Sequence, residues 1–174
     1  MRAASLPYGA WPDRPPAPGA LPVVLRLPLA GPRALARVHT RQVAREVLSG
    51  WLGTTIDLME TERGPRLPPG SPGSALTLSF AYAGEVAWIG VPRGRRLGLD
   101  ACPLADFPER TAVSALYLTP VSNETAEAFA RRWASHEAAL KWGGQGLTEG
   151  ARTPQPPHRA TWVADGHALA VAWD

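Results

Sequence analysis

The chain has 174 residues, and its 45% apolar and 19% charged content is typical of a globular protein rather than a disordered one. Its length suffices for one domain of ordinary size or for two small lobes. The single cysteine, Cys102, excludes a disulfide framework and a cysteine-rich zinc site. No apolar run is long enough to span a bilayer, and prolines interrupt the region where a signal peptide would be apolar. We therefore expect a cytoplasmic protein without a membrane partner.

The first third of the chain predicts an arm, a strand and a helix. Residues 1–20 are rich in Pro, Ala and Gly and predict a flexible or extended arm. A short strand is predicted over 23–27, closed by Pro28. A helix is predicted over 33–52, because apolar residues recur there at helical spacing: Val43, Ala44, Val47, Leu48 and Trp51.

Three arginines form a ladder on this predicted helix. Arg37, Arg41 and Arg45 are spaced four residues apart and enter or border the apolar stripe. All but one of the 18 basic residues are arginines, which bind phosphate and carboxylate groups in a fork. The ladder therefore indicates either an anion site or a solvated face with carboxylate partners. A coding bias toward Arg, Ala, Gly and Pro is an alternative explanation of the overall arginine excess.

The middle of the chain predicts an antiparallel meander. Strands are expected over 75–80, over 86–91 and over 97–99, the last ending at Asp100. Near the end of the chain, Asp165 and Gly166 stand between two apolar runs and predict a hairpin turn.

A second long helix should begin at the N-cap Asn123 and run to about Trp142, before Gly143 and Gly144. At 100° per residue, Glu137 falls inside its apolar stripe. The apolar members of that stripe are Ala126, Phe129, Ala130, Trp133 and Leu140. Burial of an unpaired carboxylate lowers the free energy of unfolding by roughly several kcal/mol. Glu137 must therefore be ion-paired, metal-bound or at a cleft.

Asp100 is the second carboxylate of interest, since it follows the last strand of the meander. Two carboxylates without a Cys/His cluster suit a hard cation, and Mg²⁺ on phosphates is the usual case. A turn-forming aspartate is the alternative for Asp100.

Asp100 lies in the segment Gly-Leu-Asp-Ala-Cys over 98–102, and Glu137 lies in the segment Trp-Ala-Ser-His-Glu-Ala-Ala-Leu-Lys over 133–141. These two segments, in this order, resemble the larger, monomeric members of the phosphopantetheinyl transferase superfamily. Those proteins have a strand ending in G-[IV]-D-x-E, which corresponds to residues 98–102. They also have a helix with W-[ST]-x-K-E-[AS]-x-x-K, which corresponds to residues 133–141, and then G-x-G-L, where residues 144–147 read Gly-Gln-Gly-Leu. Weaker matches are 44–49 to an early arginine-containing helix, 63–67 to a G-K-P loop, and 78–84 to S-x-S-H-S-G.

The resemblance implies an enzyme that moves the 4′-phosphopantetheine arm of coenzyme A onto a serine of an acyl or peptidyl carrier protein. It implies that Asp100 and Glu137 ligate Mg²⁺ and that Lys141, the only lysine in the chain, binds phosphate. It further implies nucleotide phosphate contacts for three residues, which are Arg45, Arg66 and Tyr82. Glu137 or His136, directly or through water, would accept the serine proton.

Three positions depart from the family pattern. Cys102 replaces the second acidic ligand, and a neutral thiol binds Mg²⁺ poorly. His136 replaces a lysine, and Tyr82 replaces the loop histidine. These changes keep open a second function, a catalytically weakened homologue that binds coenzyme A or a carrier protein.

The resemblance also implies an α+β architecture. We expect two similar lobes with pseudo-twofold symmetry, over 21–90 and 91–174, each an antiparallel sheet packed by a long helix. The resemblance implies a monomer. An acidic carrier protein is the expected partner, and the formal net charge of +3 suits such a partner. A nucleic-acid partner is not expected, because the basic patch interleaved with aromatic residues is absent.

Overall fold

A computed structural model of the chain describes residues 6–13, 16–29, 32–61, 64–74, 76–92, 94, 96–105, 108–147 and 152–174, with the side chains of residues 33 and 34 excepted. The fold is mixed α+β, as the sequence predicts, with two sheets and three helices among these residues. The chain divides into two compact units, 1–97 and 98–174, whereas the predicted boundary is between 90 and 91.

The first unit contains a four-stranded sheet in the order β1-β2-β4-β3. Its elements are β1 (Tyr8–Ala10), β2 (Val23–Pro28), α1 (Arg33–Leu52), β3 (Ser79–Ala83) and β4 (Val86–Val91). The central pairs are antiparallel, but β1 pairs in parallel with β2, so this sheet is not wholly antiparallel. The predicted arm over 1–20 thus contributes an edge strand, while its residues 1–5, 14 and 15 lie outside the described part.

Helix α1 has the bounds that apolar periodicity predicts. It ends at Gly53, whose φ of 65° is the left-handed conformation that glycine adopts at low cost. The helix packs on β4, and Val43, Val47 and Leu48 are each at most 3% exposed in the core of this unit. Burial of such side chains contributes about 1.5–3 kcal/mol each, which fixes the helix on the sheet.

The second unit contains a three-stranded sheet in the order β5-β7-β6. Its elements are β5 (Leu97–Pro103), α2 (Arg110–Tyr117), α3 (Ala126–Trp142), β6 (His158–Ala164) and β7 (His167–Trp173). The predicted hairpin is confirmed: β6 and β7 pair antiparallel, and Asp165 and Gly166 both have positive φ, as a tight hairpin turn requires. Residues 106–107, which precede α2, lie outside the described part.

The meander prediction is wrong for its third strand. Strand β5 continues past Asp100 to Pro103, and it lies beside β7 rather than beside β4. Asp100 is therefore a mid-strand residue, which excludes the turn-forming alternative. The strand predicted over 75–80 also begins later, at Ser79, and Ala75 lies outside the described residues.

The start of α3 also differs from the prediction. Thr125 rather than Asn123 is the N-cap, and its Oγ1 accepts a hydrogen bond of 3.1 Å from Ala128 N. Asn123 has a φ of 57°, a left-handed conformation that asparagine tolerates, and so belongs to the preceding turn. The predicted end is confirmed, because Gly143 is the C-cap.

Helix α3 lies on β7 through small side chains. The shared core contains alanines from both elements, which are Ala130, Ala134 and Ala138 of α3 and Ala168, Ala170 and Ala172 of β7. Of the predicted stripe, Phe129, Ala130 and Leu140 are buried, but Ala126 and Trp133 are only half-buried. His136, predicted at the margin, is 5% exposed and belongs to the buried set.

Candidate functional site

Gly98 lets the backbone of β5 approach the backbone of α3. A Cβ at Gly98 would lie 1.9 Å from Ala138 O and 2.5 Å from Trp142 N, far inside any real contact. Because side chains alternate along a strand, Asp100 and Cys102 lie on the same face as Gly98. The strand motif therefore places Asp100 against the last two turns of α3.

Lys141 of α3 pairs with Asp100. Its Nζ donates a hydrogen bond of 2.7 Å to Asp100 Oδ1 and one of 3.0 Å to Leu99 O. The side chains are 33% and 14% exposed, so the pair is largely withdrawn from water. Burial raises the pKa of Asp100, against the opposing effects of Lys141 and of a hydrogen bond from the Ala101 backbone.

Glu137 lies one turn before Lys141 and is half-buried. Its Oε1 is fully buried and has no hydrogen-bond partner among the described residues. Burial raises the pKa of Glu137, the negative charge of Asp100 raises it further, and Lys141 opposes both. The predicted pair of carboxylates is thus brought together in one electrostatic cluster with Lys141, and Glu137 Oε1 has no hydrogen-bond partner within the described part of the chain.

His136 points into the core of the second unit. Its Nδ1 lies 2.8 Å from Thr153 Oγ1, and its Nε2 is buried without a partner among the described residues. The ring also contacts Trp133, with 5.9 Å between centroids. Burial lowers the pKa of His136, which favours the neutral imidazole. A role as proton acceptor stays a prediction for His136.

No sequence pattern indicates the contact of Thr153 with His136, since the two residues are 17 positions apart and Thr153 lies in a loop. Replacing Thr153 with valine should lower the free energy of unfolding by about 1–2 kcal/mol, because it leaves His136 Nδ1 buried without a partner. Thr161→Val on the exposed strand β6 is the matched control and should change it by less than about 0.5 kcal/mol. Equal unfolding midpoints in urea for both variants would contradict the role of Thr153.

The thiol of Cys102 stays protonated. Burial and then the charge of Asp100 raise its pKa to about 11. The residue is 5% exposed and packs in the core with Phe129 and Ala130. Cys102 therefore supplies no anionic ligand, and the position where the resemblance implies a second acidic ligand is a core residue.

Two of the three arginines in the ladder, Arg41 and Arg45, have carboxylate partners. Arg41 forms a two-pronged pair with Glu60 and interacts with Tyr82, and Arg45 Nε lies 3.2 Å from Asp57 Oδ1. This arrangement agrees with the solvated-face alternative for the ladder.

Arg66 is exposed and pairs through its backbone with Met59, while Arg63 lies outside the described residues. Phosphate binding by Arg45, Arg66 and Tyr82 stays a prediction.

The two carboxylates fit Mg²⁺ by their chemistry. Mg²⁺ is usually held by one or two carboxylates together with substrate phosphates and water, so a complete protein cage is not needed. In the described part of the chain no group of three or more His, Cys, Asp or Glu residues could hold a metal. Asp100 and Glu137 could supply the one or two carboxylates, and Glu137 Oε1 has no other partner among the described residues.

No protein-family model matches the chain, and no curated protein sequence matches it. Within the described residues, no helix is long and apolar enough to cross a membrane.

The charge of Glu137 should affect stability with a defined pH dependence. Because its folded-state pKa is raised, the folded chain binds a proton more tightly than the unfolded chain does. Ionised Glu137 therefore destabilises the fold above its folded pKa, and this penalty disappears as pH falls through that pKa. We expect Glu137→Gln to be more stable than wild type at pH 7.5, with a difference that shrinks on acidification. Urea unfolding from pH 4 to 8 measures it, and a difference that grows toward acid pH would contradict the assignment.

Proposed function

We propose that the protein transfers the 4′-phosphopantetheine group of coenzyme A to a serine of an apo acyl or peptidyl carrier protein, with Mg²⁺. The observation that carries this proposal is the meeting of Asp100, Glu137 and Lys141 on facing parts of β5 and α3. These three residues are the ones that the two sequence motifs of the phosphopantetheinyl transferases assign to metal and phosphate. Their convergence was not needed to form either element, so it supports a shared role.

In this proposal Asp100 and Glu137 hold the Mg²⁺, which when bound would offset the negative charge of the coenzyme A pyrophosphate. Lys141 adds a permanent cation beside the same phosphates. In the first unit, Arg45, Arg66 and Tyr82 are proposed to contact the nucleotide phosphates. Arg45 would then exchange Asp57, which is 83% exposed, for a phosphate group.

The reaction moves the phosphopantetheine group from one oxygen atom to another. No atom changes its oxidation state, so no oxidant or reductant is needed. The serine oxygen forms a bond to the β-phosphorus, and the bond from that phosphorus to the oxygen of 3′,5′-ADP breaks. Glu137, directly or through water, is proposed to accept the serine proton. The buried position of His136 makes it the weaker candidate for this proton transfer.

We also propose that the two units are similar lobes related by pseudo-twofold symmetry. Each has a sheet with a long helix on it, α1 of 20 residues on β4 and α3 of 17 residues on β7. A cytoplasmic location, a monomeric state and an acidic carrier-protein partner belong to the same proposal, and the formal net charge of +3 supports the last of these.

A homologue that binds coenzyme A or a carrier protein with little turnover is the second candidate. The protonated, core-packed thiol of Cys102 and the buried ring of His136 favour it, because both positions have lost a charged group of the family pattern.

Labelled coenzyme A separates the two candidates. Wild type and Asp100→Ala are incubated with Mg²⁺ and a panel of apo carrier proteins, and coenzyme A binding is measured by calorimetry in parallel. The transferase proposal expects label on at least one carrier with wild type and none with Asp100→Ala. Binding of coenzyme A without label on any carrier would favour the binding homologue.

A further inference from the structure

The only lysine of the chain already occupies one of the two proposed Mg²⁺ ligands. Lys141 Nζ donates to Asp100 Oδ1 at 2.7 Å and to Leu99 O at 3.0 Å. With its side chain 33% exposed against 14% for Asp100, the lysine stands on the solvent side of the pair. The ammonium group therefore occupies an oxygen of a proposed metal ligand, and its side chain is partly exposed to solvent.

The charge balance of the cluster changes when a divalent cation enters. The negative charges of Asp100 and Glu137 repel each other, and the positive charge of Lys141 attracts both carboxylates. A divalent cation neutralises two carboxylates by itself, so the ammonium group becomes an excess like charge beside the metal. Repulsion from the metal and loss of its partner both favour departure of Lys141 from Asp100.

The residue type agrees with such a departure. A lysine ammonium is a compact charge on a flexible stem, whereas an arginine fork would hold a carboxylate through two parallel hydrogen bonds. The other 17 of the 18 Lys and Arg positions carry arginine, so the pair with Asp100 uses the less firmly held of the two cations.

We propose that Lys141 is an exchangeable cation, which holds Asp100 while no divalent cation is bound and leaves it for a substrate phosphate when Mg²⁺ binds. The phosphate destination rests on the proposed function. The departure from Asp100 requires only Mg²⁺ and is tested without coenzyme A or a carrier protein.

Acetylation of Lys141 measures the departure directly. Wild type is treated at fixed pH with limiting N-acetoxysuccinimide, in MgCl₂ or in NaCl of equal ionic strength, with a lysine-containing peptide added as internal reference. Since the chain has no other lysine, the mass spectrum of the peptide with residue 141 gives the rate for this amine alone. We expect Mg²⁺ to raise the rate roughly fivefold or more, because the amine loses its carboxylate partner and gains a nearby like charge. Glu137→Gln, which lacks one metal ligand, should show no Mg²⁺ response.

Calorimetric titration with MgCl₂ alone is the second readout. Lys141→Met should bind Mg²⁺ roughly tenfold more tightly than wild type, because a competing cation has been removed. Arg131→Met removes a basic residue of the same helix that pairs with Glu127, and it should leave Mg²⁺ affinity unchanged.

Two results would overturn the inference. Mg²⁺ binding to wild type with an unchanged acetylation rate would mean that the pair with Asp100 persists, and an absence of Mg²⁺ binding in wild type and Lys141→Met alike would remove the site. If the exchange is observed but no carrier protein is modified, the transferase proposal fails while the exchange stands.

Discussion

Replacing Glu137 with glutamine is expected to abolish phosphopantetheine transfer and to stabilise the protein. Transfer should fall at least about a hundredfold, because a metal ligand and the proposed proton acceptor are both lost. The free energy of unfolding should rise by about 1 kcal/mol at pH 7.5, because a neutral isostere replaces a half-buried charge whose Oε1 has no partner among the residues that the structure describes. Opposite signs for activity and stability are typical of a residue kept for function.

Glu127→Gln is the matched control for this variant. Glu127 lies in the first turn of the same helix and pairs with Arg131 at the surface, 2.9 Å apart. Its loss should leave transfer unchanged and lower stability by less than about 0.5 kcal/mol. A Glu137→Gln protein that is less stable than Glu127→Gln and still active would show that Glu137 is a structural residue.

Gly98→Ala should disrupt the site without altering any of its functional groups. The new methyl group would meet the Ala138 carbonyl at 1.9 Å, and backbone atoms cannot move aside as a flexible side chain would. We expect the second unit to lose about 2–4 kcal/mol of stability, because β5 must withdraw from α3. Asp100 withdraws with the strand, so transfer and Mg²⁺ binding should be lost as well.

Gly146→Ala is the stability control for Gly98→Ala. A Cβ at Gly146 would meet nothing within 4 Å, so the free energy of unfolding should stay within about 0.5 kcal/mol of wild type. Thermal and urea unfolding of both variants measure the difference. Similar stabilities for the two variants would contradict the close packing of β5 on α3.

The elements that carry the site follow from local patterns in the sequence. Helical periodicity places Glu137 and Lys141 one turn apart on α3, and the glycines at 143 and 144 end that helix as predicted. The turn at Asp165 and Gly166 is equally local, because only residues tolerant of positive φ fit a two-residue hairpin turn. For these features, the residues involved are close in sequence.

The features that depend on tertiary contacts were not predictable. The pairing of β5 with β7 joins strands about 70 residues apart, and alternation of side chains in β5 is compatible with either sheet edge. The close packing of Gly98 against α3 cannot be predicted from the sequence of β5, because it depends on where that helix lies. The burial of His136 likewise depends on Thr153, which periodicity within α3 cannot reveal. Strand β1 has no sequence signal, because it lies in a Pro-rich segment and pairs with β2 through only three residues.

The central claim is the transfer reaction, and intact-mass spectrometry of an apo carrier protein tests it most directly. The carrier is incubated with the wild-type protein, coenzyme A and Mg²⁺, and separately with Glu137→Gln. The proposal predicts a mass gain equal to one phosphopantetheine arm with wild type, matched by an equal amount of released 3′,5′-ADP, and none with Glu137→Gln. An unmodified carrier throughout a broad panel, or an equal gain with Glu137→Gln, would contradict it.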